Sequence, residues 1–285
     1  MRLALILTVA ALPLAATHWD DHHWKFDEKE SIRRTFDAAG GSGAKKLLVD
    51  NIDGFIHITG YGGSQMQVSI EKHIYADSNE AMAEAKRDVK MDMSQQGNFL
   101  RLYEDGPFRT SNGTNYRGES YYGYRVVFDC DVQVPYDTEL VLKGVNHGDI
   151  LVKKTTGDYE IHGLNGGIEM EDVAGSGLVS TLNGKVKVTF AKNPANATQF
   201  RTLNGSVDVY FQAPLNADLK FKKLNGGIYT DFEVNALPQS INGGSSDGRF
   251  VYRSDRVMSG RTGQGGPELS FDTLNGSIRL HSRII

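Results

Sequence analysis

The chain has 285 residues, with 31 Lys+Arg against 35 Asp+Glu and a formal net charge of −4, which gives no electrostatic preference for nucleic acid or anionic lipid. Hydrophobic residues make up 39% and charged residues 23%, a globular balance in a chain long enough to bury a core without disulfide or metal staples. Gly is abundant at 32 and Pro scarce at 7, so the glycines serve ordered turns between many short strands rather than a linker.

Met1-Arg2 opens the chain, and an apolar run follows from Leu3 to Ala16. At about 14 residues this run is too short to span a bilayer and has the length of a signal-peptide core. Ala15, Ala16 and Thr17 offer cleavage positions, so residues 1–17 are expected to be removed on export to the periplasm or cell surface. No Cys follows to carry a lipid, and no later run approaches ~18 apolar residues, so no transmembrane segment is expected in the mature chain. Residues 18–34 read as a disordered leader. His18, His22 and His23, with Asp20 and Asp21, are metal-ligand types, but beside a cleavage site they read as unstructured chain, and no metal is assigned.

Lys46–Val49, Phe55–Thr59, Met66–His73 and Phe99–Tyr103 read as short strands. Asp77 to Met93 is the one helix expected, with Asp77 as its cap, Glu80 at capping-box spacing, and Ala81, Ala83 and Ala85 favouring helix. Glu104 to Tyr122 is a long polar and aromatic loop. Arg109, Tyr116, Tyr121 and Tyr122 are its candidate ligand-binding residues, because Arg and aromatic side chains on a loop suit glycan stacking or protein contact. The competing reading folds these tyrosines back as a cap. Tyr124, Val126, Phe128, Cys130, Val132 and Val134 then alternate with polar residues, a strand with one buried face. Cys130 is a core thiol here. Its neighbours Asp129 and Asp131 oppose the thiolate a nucleophile needs.

The second half, 136–285, is a repeat. Leu-Asn-Gly followed by an alternating apolar strand recurs at Leu164, Leu182, Leu203, Leu224 and Leu274. Looser copies place Asp53 and His147 at the Asn position. An apolar residue precedes each Leu by three: Ile161, Val179, Phe200, Phe221 and Phe271. Units of this size cannot bury an apolar face alone, so they are expected to stack, with Leu and Ile/Val inward and the Asn side chains hydrogen-bonded from unit to unit. Glu169, Lys187 and Asp208 alternate in sign at one outward position, as vertical neighbours in a parallel stack would. The fold class is therefore all-β, a β-solenoid or parallel β-helix-like stack; an antiparallel meander with hairpins at each Asn-Gly, or a sandwich, is the alternative. Residues 232–274 read as one divergent coil carrying loops. Residues 35–135, β-rich with the single helix, are expected to continue into the repeat as one domain.

The signal peptide, Val49-Asp-Asn-Ile-Asp-Gly-Phe-Ile-His-Ile-Thr-Gly60, the Val68 to Lys72 strand, Phe128-Asp-Cys-Asp-Val-Gln-Val-Pro135 and the Leu-Asn-Gly train together resemble the bacterial DUF4097 family, envelope β-repeat proteins labelled adhesins. The resemblance covers about residues 35–285. It implies a β-repeat fold and a surface-binding role, with no catalytic residue or cofactor to carry over. No His-Glu-x-x-His or Walker loop is present. The expectation is an exported, non-catalytic binding protein whose partner is an envelope or surface glycan or protein. An enzyme acting on polysaccharide through paired carboxylates is the alternative, and a purely structural envelope component a third reading.

Overall fold

The computed structural model describes residues 22–38, 43–110, 113–114, 119–238, 241–246, 249–254 and 257–283. The expected signal peptide lies outside them. In chain order the elements begin with β1 (Phe26–Asp37), β2 (Lys46–Asp53), β3 (Ile56–Tyr61), β4 (Gln65–Ala76) and helix α1 (Asn79–Asp88). β5 (Lys90–Gln96), β6 (Phe99–Asp105), β7 (Arg109–Thr110), β8 (Gly113–Thr114), the one-turn α2 (Glu119–Tyr122) and the long β9 (Tyr124–Pro135) follow. The repeat supplies β10 (Glu139–Asn146) and β11 (Ile150–Lys153), β12 (Tyr159–Asn165) and β13 (Ile168–Val173), and β14 (Gly177–Asn183) and β15 (Val186–Phe190). It continues with β16 (Thr198–Asn204) and β17 (Val207–Gln212), then β18 (Ala217–Asn225) and β19 (Ile228–Thr230). β20 (Asn235–Ala236), β21 (Ile241–Ser246), β22 (Arg249–Ser254) and β23 (Val257–Thr262) precede the final pair, β24 (Glu268–Asn275) and β25 (Ile278–Arg283).

These strands build an all-β protein of two large mixed sheets. The first has ten strands in the order β1-β4-β9-β3-β11-β13-β15-β17-β25-β19; the second has eleven, β20-β23-β18-β24-β16-β14-β12-β10-β2-β6-β5. Neither closes into a barrel. Each Asn-Gly carries the chain from a strand of the second sheet to one of the first, and neighbouring repeat strands pair in parallel. The expected alternative of antiparallel hairpins at Asn-Gly is therefore not what forms; the two sheets face each other in a sandwich-like arrangement. Their inner faces meet through aromatic rings: Phe190 of β15 lies 6.2 Å from Phe200 of β16, and Phe211 of β17 lies 6.4 Å from Phe271 of β24. All four are at most 1% exposed. Burying each contributes roughly 1.5–3 kcal/mol.

The expected Asn ladder is present. Asn165 donates to Asn146 Oδ1 (3.2 Å), Asn183 to Asn165 (2.9 Å), Asn204 to Asn183 (2.8 Å), Asn275 to Asn204 (2.8 Å) and Asn225 to Asn275 (2.7 Å). Asn146 fills the ladder position expected for His147. One extra residue lies in that turn, and His147 takes it up at φ +50°. The glycines at 166, 184, 205 and 276 are needed for close approach rather than for a left-handed turn, whereas Gly226 also takes a positive φ of +110°. A Cβ on Gly205 would collide with the carbonyl oxygen of Gly184, and one on Gly276 with that of Gly205.

The leucines of the unit correct the inward expectation. Leu164, Leu182, Leu203, Leu224 and Leu274 are 36–48% exposed. In β16 the buried row is Thr198, Phe200 and Thr202, so Leu203 faces out with the strand's other phase. The final pair corrects the expected coil order. β24 and β25 do not follow β18 and β19 in space but lie between them and β16 and β17, paired in parallel on both sides.

Two further expectations change. The helix covers only Asn79–Asp88, capped by Ser78, whose Oγ accepts from Ala81 N at 3.1 Å, while Asp77 bonds His22 instead. Residues 90–93, expected as helix, belong instead to β5, which pairs with β6 around Gly97. The leader expected to be disordered contains β1, antiparallel to β4 from Phe26↔Ala76 to Asp37↔Gln65.

Candidate binding surface

The outer face of the first sheet at its β1 end is built of polar side chains, because the alternation that buries Met66, Val68 and Ile70 of β4 turns their neighbours outward. Register brings Arg33, Ser69, Asp131 and His57 into one row across β1, β4, β9 and β3. Thr35, Gln67, Gln133 and Thr59 form the next. Together they line a groove of about 380 Å³. Within it, His57 Nδ1 lies 3.3 Å from Asp131 Oδ1, and Phe55 stacks on the imidazole at 4.0 Å. Arg33 stands on one wall, exposed, and among the described residues it forms no ion pair; Arg34, in register with the buried Val68, turns its side chain to the opposite face of β1. The groove thus offers one guanidinium group, several hydroxyl and amide groups and one His–Asp pair at strand spacing.

The loop residues singled out from sequence are placed differently. Arg109 is largely enclosed. Its Nη2 is 2.8 Å from Asp50 Oδ1, its Nε donates to Glu104 O at 2.7 Å, and its guanidinium lies over Tyr103 at 4.2 Å. It ties the loop to β2 and β6. Tyr122 packs half-buried against Tyr124 and Phe108. Tyr121, 61% exposed, stands edge-on against Tyr122 at 5.0 Å. Tyr116 lies outside the described residues. Of the amino-terminal cluster, His22 bonds Asp77 at 2.8 Å and packs on Trp24 at 4.2 Å, while His18, Asp20 and Asp21 lie outside the description. Among the described residues, no group of three or more His, Cys, Asp or Glu is arranged to hold a metal ion.

A buried acidic pair sits beneath the loop. Glu104 is 1% and Asp53 2% exposed. The Glu104 carboxylate accepts from Ile52 N (2.5 Å) and Asp53 N (3.3 Å). Burial pushes this carboxyl up to about 8; the two N–H donors and Arg109 oppose the shift, and the Asp53 charge adds to it. Asp53 is paired with Arg125 (2.8 Å) and approached by His147 Nδ1 at 3.3 Å. Phe108 and Tyr122 help close this site over. Paired carboxyls are the ingredients of acid–base chemistry, but neither of these is open to a polymer. Burial likewise raises the Cys130 thiol, consistent with a core role. The groove left no sequence signal, because its residues come from four strands far apart in the chain.

No family model matches the sequence, and no curated protein matches it. Solved structures of similar shape include a "putative cell adhesion protein" from Clostridium sporogenes, 12% identical with a TM-score of 0.41, covering 90% of this chain and 100% of that one. A "putative adhesin" from Bacteroides fragilis is 14% identical with a TM-score of 0.37, covering 89% and 97%. A "putative lipid binding protein" from Parabacteroides distasonis is 11% identical with a TM-score of 0.26, covering 91% and 96%. At these identities and scores the likeness carries no functional argument.

Proposed function

We propose that the protein is an exported, non-catalytic envelope protein of the DUF4097 type, a β-solenoid that binds a polar polymer, foremost an acidic glycan, along the outer face of its first sheet. The observation that carries this reading is the groove with Arg33, which forms no ion pair among the described residues, and two rows of hydrogen-bonding side chains. Arg forks suit carboxylate or sulfate groups, and hydroxyl and amide side chains suit sugar hydroxyls. Export is supported by the signal-peptide pattern of residues 1–17. No helix among the described residues is long and apolar enough to cross a membrane. The exposed ring of Tyr121 is a second contact point, a stacking platform for a sugar or a protein.

The test is a glycan array with the mature chain, followed by titration of acidic and neutral polysaccharides against wild type, Arg33→Ala, Arg34→Ala and Tyr121→Ala. Loss of binding of tenfold or more is expected in Arg33→Ala, with Arg34→Ala close to wild type. Loss with Tyr121→Ala alone moves the site to the loop. Turnover of a polysaccharide, abolished by replacing one Asp or Glu, would establish the enzyme instead, and no binding to any glycan or protein leaves the structural role.

A further inference from the structure

Five Leu-Asn-Gly turns share one sequence but not one environment. In four of them the glycine N–H donates to the backbone carbonyl of the next Asn along the column. Gly166 bonds Asn183 O, Gly184 bonds Asn204 O and Gly205 bonds Asn275 O, each at 3.0 Å, and Gly276 bonds Asn225 O at 3.2 Å. Each of these bonds needs a further coil beyond it, so the last turn of a stack must lack one. That turn is Asn225-Gly226, and among the described residues the Gly226 N–H has no acceptor. Gly226 is exposed where the four other turn glycines are half-buried, and it alone of the five takes a positive φ, +110°.

The side chains show the same end effect. Asn165, Asn183, Asn204 and Asn275 each donate one amide bond and accept another. Asn225 only donates, to Asn275 Oδ1 at 2.7 Å. Lys223 Nζ bonds Gly226 O at 2.8 Å, which places a cation beside the N–H and favours loss of its proton. An Asn followed by Gly carries its own nucleophile: the glycine nitrogen can close on the Asn side-chain carbon, and no Cβ crowds the approach. In the four inner turns that nitrogen is held in a hydrogen bond, and the amide is held from both sides. Reaction there requires local opening first.

We infer that Asn225 is a self-modification site, the rung of the ladder that converts to aspartate and isoaspartate while the protein stays folded. Gly226 N gives up its proton and forms a bond to Asn225 Cγ. The Cγ–Nδ2 bond breaks, and ammonia leaves carrying that proton. Water then opens the cyclic imide at either carbonyl, and no oxidation or reduction occurs. Both products oppose the ladder. A carboxylate at 225 has no N–H for Asn275 Oδ1 and turns oxygen towards oxygen, and isoaspartate adds a methylene to the main chain between β18 and β19. Ageing of the protein therefore begins at the open end of the Asn column.

The test incubates the folded full-length chain at mildly alkaline pH in water enriched in the heavy oxygen isotope. Digestion at acid pH and peptide mass spectrometry then follow isotope uptake at each Asn. Asn112 and Asn242 also precede Gly but stand outside the ladder and are scored apart. Asn225 is expected to take up label about tenfold or more faster than Asn165, Asn183, Asn204 and Asn275, because each of those must break its glycine N–H bond and its amide bonds first. In denaturant the five should react alike. Uptake at any inner Asn as fast as at Asn225 in the folded chain overturns the inference. So does a folded chain in which Asn225 takes up no label. A preference for Asn225 of the same size in denaturant overturns it too, because local sequence and not the end of the stack would then set the rate.

Discussion

Asn204→Ala offers the sharpest test of the ladder. Asn204 donates to Asn183 and accepts from Asn275, so the substitution removes two amide–amide hydrogen bonds. Each is worth about 0.5–1.5 kcal/mol net, and water reaches this exposed column to replace part of the loss. The expected cost is therefore about 1–2 kcal/mol, or roughly 2–8 °C in Tm for a domain of this size. Asn225 ends the ladder with one such bond, to Asn275. Asn225→Ala should cost about half as much, roughly 0.5–1 kcal/mol. Asn204→Asp should cost at least as much as Asn204→Ala, since a carboxylate would face the Asn183 oxygen instead of donating to it. Urea titrations followed by far-ultraviolet circular dichroism measure all three. Equal losses at Asn204 and Asn225, or none at Asn204, would show that the Asn is kept for its backbone conformation and that the side-chain ladder contributes nothing.

Leu203→Asp should cost under about 1 kcal/mol, as surface changes usually do, whereas Phe200→Asp should abolish folding; a collapsed Leu203→Asp variant would put that leucine inside after all. Gly205→Ala should destabilise by more than about 2 kcal/mol, because its Cβ meets the Gly184 carbonyl; a variant melting with wild type would mean that the coils sit further apart than described. Glu104 holds a proton in the folded state up to about pH 8 that the unfolded chain releases near its ordinary value of 4.5, so its contribution to stability falls as pH rises through that window. Glu104→Gln keeps the acceptor for Ile52 and Asp53 and should remove a slope of up to about 1.4 kcal/mol per pH unit; parallel stability curves for the two proteins between pH 5 and 8 would show that Glu104 ionises normally.

What the sequence disclosed follows from periodicity. Tyr124 to Val134 alternates with period two, and all six apolar positions are buried. The Asn spacing foretold the ladder, and of the alternating charges at 169, 187 and 208 Lys187 pairs with Glu169, whereas Asp208 pairs with Lys185 and with Arg279 of the inserted coil. The inward leucine failed on parity. Phe200 and Leu203 are three residues apart, and an odd spacing on one strand sends two side chains to opposite faces. Strand β1 had no alternation to find, since Ile32 and Phe36 are its main apolar contacts with the core and its register is set by β4. The inserted coil was hidden because every Leu-Asn-Gly unit fits every other; pattern gives membership of the stack but not the order. The groove depends on register among β1, β4, β9 and β3, which no local motif encodes.

The Asn ladder also has a direction. Every bond in it donates the same way, from Asn225 through Asn275, Asn204, Asn183 and Asn165 to Asn146. Six amides so aligned, joined by five hydrogen bonds, add their dipoles head to tail, as peptide units do along a helix, and each polarises the next. The column therefore carries a macrodipole along the stack, with its N–H end at Asn146. The next position in register beyond Asn146 is not another Asn but Asp53. A carboxylate there sits at the positive pole, where negative charge is best tolerated. The one acidic residue in the column thus occupies the end at which the field of all the others favours it.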